Sequence, residues 1–341
     1  MKKTIGFLIA LCMLLSACAP VSTDAQKKQY TATFLDLFDT VTTVVGRADS
    51  EEDFRKAAQK VHDELEKYHR LFDIYNEYEG IANLKTVNDQ AGIAPVQVDD
   101  AIIALIRDAK SYWELTGGRV NPAMGSVLYL WHEARSDALD NPAGAYLPDD
   151  EALKAAATHT DFDKVIIDEA ASTVYIADSE MRLDVGAVAK GWATQRVSES
   201  SPRGLLISVG GNVCATGPKD ESGTPWVIGI QNPDSDAYLH TIYVKEGSVV
   251  TSGDYQRTYA VGDKLYHHII DPETLYPSEY FRSVTVVCPD SGLADALSTA
   301  LFVLPKAEGD KLAQSLNAEV MWVFPDGSMQ YTPGFKKMIR T

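Results

Sequence analysis

The segment Leu183-Asp184-Val185-Gly186-Ala187-Val188-Ala189-Lys190-Gly191 sets an acidic residue, two glycines and a lysine inside an otherwise apolar run. That is a poor way to build a plain core, from which unpaired charge is excluded. Glycines let a backbone approach a ligand closely, and residues 192–199 read as a helix whose first turn can receive a phosphate. Lys190 then stands at an anion site. The chain carries a formal net charge of −17 at pH 7, so an anionic ligand is repelled at long range and must be held by local cations, N–H groups or a metal. The plainer alternative makes Gly186 and Gly191 tight-packing positions and Lys190 a solvated charge.

At 341 residues the chain can bury a large core, with one or two domains expected. Its acidic balance and lack of a Lys/Arg cluster argue against nucleic acid, because binding a phosphate backbone needs a basic face. Lys2 and Lys3 precede an uncharged run from Thr4 to Thr23 centred on apolar Ile5 to Leu15, the layout of an export signal. The run contains Leu15-Ser16-Ala17-Cys18, which resembles the bacterial lipoprotein cleavage box. The resemblance implies loss of a signal peptide over 1–17, lipidation of Cys18, a tether over 18–32, and a protein held on the extracytoplasmic face of the cell membrane. A retained transmembrane anchor is the alternative, since about 20 uncharged residues just span a bilayer. Cys214 and Cys288 lie in apolar, strand-like sequence without a Cys/His cluster, so core packing is expected of both rather than zinc or a disulfide.

Thr33-Phe34 and Val41 to Val45 read as paired strands. Phe54, Ala58, Val61, Leu65, Tyr68 and Phe72 recur at three and four, predicting an amphipathic helix over 51–72 capped by Ser50. A second helix is predicted over 99–116, stopped by Gly117-Gly118. From residue 164 the pattern turns to strands, including one over His267 to Ile270, with helices at 190–199, 292–303 and 306–316. Neighbouring strands interrupted by a few helices favour an α+β fold, with mostly antiparallel sheets packed against helices, over an alternating α/β one. No linker divides 33–341, which reads as one catalytic domain.

Four further segments are too polar or glycine-rich for their apolar setting: Ser208-Val209-Gly210-Gly211-Asn212, Thr251-Ser252-Gly253-Asp254-Tyr255, His267-His268-Ile269-Ile270-Asp271-Pro272, and Ala294-Asp295-Ala296-Leu297-Ser298-Thr299. Asp295 and Thr299 stand four apart on a predicted helix, so both oxygens project from one face. A carboxylate and a hydroxyl, completed by waters and substrate phosphates, suit Mg²⁺. Alternatively Asp295 is a first-turn charge and Thr299 a core hydroxyl. There is no G-x-S-x-G elbow, H-E-x-x-H, Walker loop or G-x-G-x-x-G, which argues against the corresponding hydrolases, zinc peptidases, nucleotidases and dehydrogenases.

The ordered set L-D-x-G-x-x-A-K-G, V-G-G-N, T-S-G-D-Y, H-x-x-D-P and A-D-A-L-x-T-A-L resembles the ApbE family, bacterial FAD:protein FMN transferases. The likeness is strongest over about 183–304. It implies Mg²⁺-dependent splitting of FAD, release of AMP, and attachment of FMN by a phosphoester to a threonine or serine of a partner, typically a membrane redox subunit bearing D-x-x-[ST]-G-A-[ST]. Other members hydrolyse FAD to FMN and AMP. Carried onto this chain, the resemblance implies metal ligation by Asp295, Thr299 and the Ala187 carbonyl. It implies FAD contacts from Asp184, Lys190, Gly210, Gly211, Ser252, Gly253 and His268, with Asn88 and Gly118 as weaker matches, and catalytic roles for His268 and Asp271. An imidazole titrates near physiological pH, so His268 suits removal of the acceptor's proton, or else orients flavin or phosphate. Trp192, Tyr255 and Tyr266 are candidate stacking rings with core packing as the alternative. Phe38-Asp39-Thr40, Arg119-Val120-Asn121, Gln195 and Leu275 depart from the family's usual M-G-T, A-F-D, aspartate and glycine. A FAD pyrophosphatase and a non-catalytic FAD-binding lipoprotein are the competing functions.

Overall fold

The computed structural model describes residues 27–341. Cys18 and the signal segment lie outside the described residues. The chain enters through β1 (Lys28–Leu37) and β2 (Thr40–Ala48), an antiparallel pair. β1 opens inside the stretch assigned to the tether, because its polar edge-strand residues still find register partners along the longer β2. Phe38 and Asp39, at φ 53° and 51°, form the left-handed two-residue turn that matches strand twist.

Helix α1 (Glu51–Phe72) spans the residues its spacing predicts, and the Ser50 side chain accepts from the Asp53 amide to cap it. Its apolar face buries Phe54, Val61, Leu65 and Phe72. Then follow α2 (Leu84–Asp89), β3 (Val96–Gln97), α3 (Asp100–Leu115), α4 (Gly125–Asp140), α5 (Asp150–Ala157), β4 (Val165–Asp168) and β5 (Thr173–Ile176). After α6 (Ala189–Ser200) come β6 (Leu205–Val209), β7 (Asn212–Ala215), β8 (Trp226–Gln231), β9 (Tyr238–Val244), β10 (Gly247–Gly253), β11 (Tyr259–Val261), β12 (Lys264–Tyr266) and β13 (Ser283–Cys288). The chain closes with α7 (Ser291–Phe302), α8 (Lys306–Ser315), β14 (Glu319–Val323), β15 (Met329–Tyr331) and α9 (Pro333–Met338).

Eight strands form one sheet in the order β1-β2-β6-β7-β10-β13-β14-β15, and each neighbouring pair is antiparallel. Alternate residues separate its faces. Val284, Val286, Val320 and Trp322 pack with α7 and α8, while Val287, Met321 and Val323 pack under the β8–β9 ribbon and Phe335 of α9. Helices α1, α3 and α6 cover the β2–β6 end of the first face. This is the α+β architecture expected. The strand expected over His267 to Ile270 is absent: only Ile270 makes a bridge, to Pro277, because the chain turns back at once through Asp271 to Leu275. Among the described residues no helix is long and apolar enough to cross a membrane.

Cys214 and Cys288 are buried free thiols in register on either side of Ser248, and so two strand spacings apart, about 10 Å. That separation excludes a disulfide. Burial pushes both thiols up, Cys288 to about 12. In the form beginning after Cys18, a chromophoric thiol reagent will find no fast-reacting cysteine in the native protein and two after denaturation; rapid native labelling of either would contradict this packing.

Candidate functional site

The site is centred where α6 meets α7. Gly191 allows the approach: a β-carbon there would sit 2.4 Å from both the Asp295 Cβ and the Ser291 carbonyl oxygen. In a regular helix the Gly191 amide would donate to the Ala187 carbonyl, four residues back. Instead it donates to Asp295 Oδ2 at 2.8 Å, leaving the Ala187 carbonyl without a hydrogen bond among the described residues. Asp295 is 5% exposed and has no ion-pair partner among the described residues. Burial raises its pKa, opposed by Lys190, the Gly191 amide and Asn212. Thr299 lies one turn further along α7, half-buried. Ser252 of β10 braces this helix: its hydroxyl meets Ser298 Oγ at 2.8 Å, and Ser298 donates to the Asp295 carbonyl.

The run into α6 is held by Asn88. Its amide donates to the Leu183 carbonyl at 2.9 Å and its oxygen accepts from the Leu183 amide at 2.7 Å, so this side chain positions the segment that leads into the site. Asp184 follows, half-buried, accepting from the Gly186 amide at 2.8 Å. Crowding by protein raises its pKa, and the charges of Arg257, His132 and Lys190 oppose the rise. Lys190 reaches the Gly186 carbonyl at 3.4 Å, and its field is felt at Asp184, Asp295 and His268 alike. Gly210 and Gly211, at φ 56° and 91°, form the two-residue turn between β6 and β7 and lead to buried Asn212. A β-carbon on Gly210 would strike Thr40 at 2.6 Å, so the two hairpin turns pack together. Gly253 lies under the Tyr255 ring, and Gly118 belongs to the turn ending α3.

The two adjacent histidines have different environments. His267 donates from Nε2 to the Ser278 carbonyl at 2.8 Å and accepts the Ile269 amide on Nδ1, so both nitrogens are engaged. His268 meets the Gln256 carbonyl through Nδ1 at 3.1 Å; a carbonyl only accepts, so Nδ1 carries the proton and Nε2 keeps a free lone pair. Its ring is solvent-exposed, yet protein crowding and then Arg257 hold its pKa below the ordinary imidazole value. Asp271, 5% exposed, accepts the Glu273 amide at 2.9 Å and faces Arg119 at 3.6 Å, fixing the loop beyond His268.

The departures are accommodated locally. Gln195 accepts the Ser291 amide at 2.8 Å, satisfying the first N–H of α7 beside its Asp290 cap. Asn121 bonds the Ala123 amide and the Thr160 carbonyl. Leu275 does take the glycine-type conformation, φ 65°, held by the Trp131 indole donating to its carbonyl at 2.9 Å. Of the three candidate rings Trp192 is core, packed edge-on to Tyr68 and Phe72, and half-buried Tyr266 stacks on Trp131. The reading of motifs missed a Tyr75–His132 pair, stacked at 5.0 Å, whose tyrosine is 52% exposed and pushed up to about 12 by desolvation and Asp184. It also missed Arg257.

The ApbE family pattern matches residues 38–324. The chain is 32% identical over 313 residues to a Treponema pallidum protein named FAD:protein FMN transferase, covering 84% of each. It is 32% identical over 254 residues to a Klebsiella pneumoniae protein of the same name, covering 70% of this chain and 76% of that one. An ApbE protein structure from Thermotoga maritima superposes with TM-score 0.80 at 30% identity, over 92% of this chain and all of that one. A flavin transferase ApbE from Vibrio cholerae, at 22% identity and TM-score 0.74, shares the fold over 92% of this chain and 99% of that one. A buried carboxylate, a released carbonyl and a half-buried hydroxyl therefore sit in a matched frame, and the chain belongs to the ApbE family.

Proposed function

We propose that this chain, an enzyme of the ApbE family, transfers FMN from FAD to a threonine or serine of a target redox protein and releases AMP. The observation that carries the reading is the oxygen set at the α6–α7 junction: buried Asp295 without an ion-pair partner, the Ala187 carbonyl left open by Gly191, and the Thr299 hydroxyl. These are hard donors that fit Mg²⁺. When bound, the ion neutralises charge on the phosphate oxygens. Lys190 and the glycine-turn amides hold the dinucleotide, and Asn88 keeps the 183–188 backbone in place. His268 Nε2 accepts the proton of the acceptor hydroxyl. That oxygen forms the new bond to the FMN phosphorus, the P–O bond to the bridging oxygen breaks, and AMP leaves with that oxygen.

The lipoprotein signal supports an extracytoplasmic, membrane-tethered location, where membrane redox subunits offer the acceptor segment. From Cys18 to Lys27 the chain reaches at most about 30 Å, which keeps the domain close to the bilayer.

The reading is tested by mass spectrometry on the form beginning after Cys18, mixed with FAD, Mg²⁺ and a protein bearing D-x-x-T-G-A-T. An FMN-sized gain on the threonine is expected. Free FMN and AMP alone would replace the transferase with a pyrophosphatase, and unchanged FAD would leave a carrier. His268→Gln will lose about 100-fold or more of transfer. Because the pKa of His268 is lowered, its base form persists as pH falls, so the acid limb of wild-type transfer will lie below the ordinary imidazole pKa of about 6.5.

A further inference from the structure

Arg257 lies in the turn after β10 at φ 48°, a left-handed conformation that is strained for a non-glycine residue. The turn is clamped on both sides. The Asp254 amide donates to the Arg282 carbonyl at 2.9 Å, and its carboxylate accepts Arg282 Nε at 2.7 Å. The Gln256 carbonyl, one residue before Arg257, receives the His268 ring. The guanidinium so presented is exposed and makes no hydrogen bond, ion pair or ring contact among the described residues. Its charge nonetheless reaches Asp184, Tyr75 and His268, which come from three separate segments.

A strained, braced and unpaired cation beside the proposed phosphate site calls for an anion from outside. Lys190 and Arg257 together carry the two positive charges that match the two negative ones of a diphosphate. We infer that Arg257 binds the pyrophosphate of the dinucleotide, supplying a second cation from a different element than Lys190. The inference rests on the FAD-transferase reading and adds a specificity determinant: Arg257 selects flavin dinucleotide over uncharged flavin.

The test is fluorescence titration of FAD and of riboflavin, in EDTA to stop turnover, against wild type, Arg257→Asn and Arg257→Lys. Asparagine tolerates the left-handed conformation, so it removes the charge while sparing the turn. Arg257→Asn should weaken FAD about 10- to 100-fold and leave riboflavin unchanged. Arg257→Lys should recover part of the FAD affinity, since lysine keeps the charge without the planar fork. Unchanged FAD affinity in Arg257→Asn, or equal losses for both ligands, would overturn the inference and leave the transferase reading intact. A wild type that binds no FAD, with or without a divalent cation, would overturn both.

Discussion

Asp295→Asn will raise the melting temperature of the metal-free protein while abolishing flavin transfer. The wild-type carboxylate is buried without an ion-pair partner, and burial raises its pKa above the ordinary value. An acid with a raised folded pKa destabilises the fold at every pH above its unfolded pKa, because the unfolded chain ionises freely. Asparagine removes that penalty and can still accept the Gly191 amide, so a gain of about 1–3 kcal/mol is expected in EDTA near neutral pH. That corresponds to roughly 2 °C or more. Added Mg²⁺ should then stabilise wild type and leave the variant unmoved. Scanning calorimetry with and without metal separates the two roles. A variant less stable than wild type in EDTA would mean that Asp295 is a structural acceptor for α6 rather than a cation ligand.

Gly191→Ala attacks the same junction from the other side. The new methyl meets backbone and Cβ atoms at 2.4 Å, which no rotamer change relieves, so α6 and α7 must separate. Overpacking of this kind costs on the order of 3 kcal/mol or more, against about 1 kcal/mol regained from alanine's helix preference. Separation also displaces Asp295 from Ala187, and misplacement by about 1 Å costs roughly 100-fold in rate. Urea unfolding and the transfer assay should therefore both report large losses. Near-wild-type stability would show the helices free to move apart.

What could be read from the chain divides along physical lines. Helix α1 was legible because its apolar residues repeat at three and four behind a serine cap, and Asp295 and Thr299 because helical spacing alone puts them on one face. Helix α4 was not: it starts after Met124 with no side-chain cap, and only a weak apolar stripe marks its buried face. The alternation around Ile269 imitates a strand, but its histidine side chains bond nearby backbone and the chain reverses at Asp271. Motif spacing could not separate His267 from His268, since the distinction lies in the Ser278 and Gln256 carbonyls brought beside them by folding. Tyr75, His132 and Arg257 carry no local signature at all. Tyr75 and His132 stack, and the charge of Arg257 reaches Tyr75, only because a helix connection, α4 and the turn after β10 converge near Asp184.

The first turn of α6 is left unfinished by its own backbone. Its glycine amide has crossed to a neighbouring helix, so the carbonyl it would have served goes without that hydrogen bond. Regular winding of that turn and the bond to α7 compete for one N–H, which makes the beginning of the helix a latch: it can close on itself only by giving up its hold on Asp295.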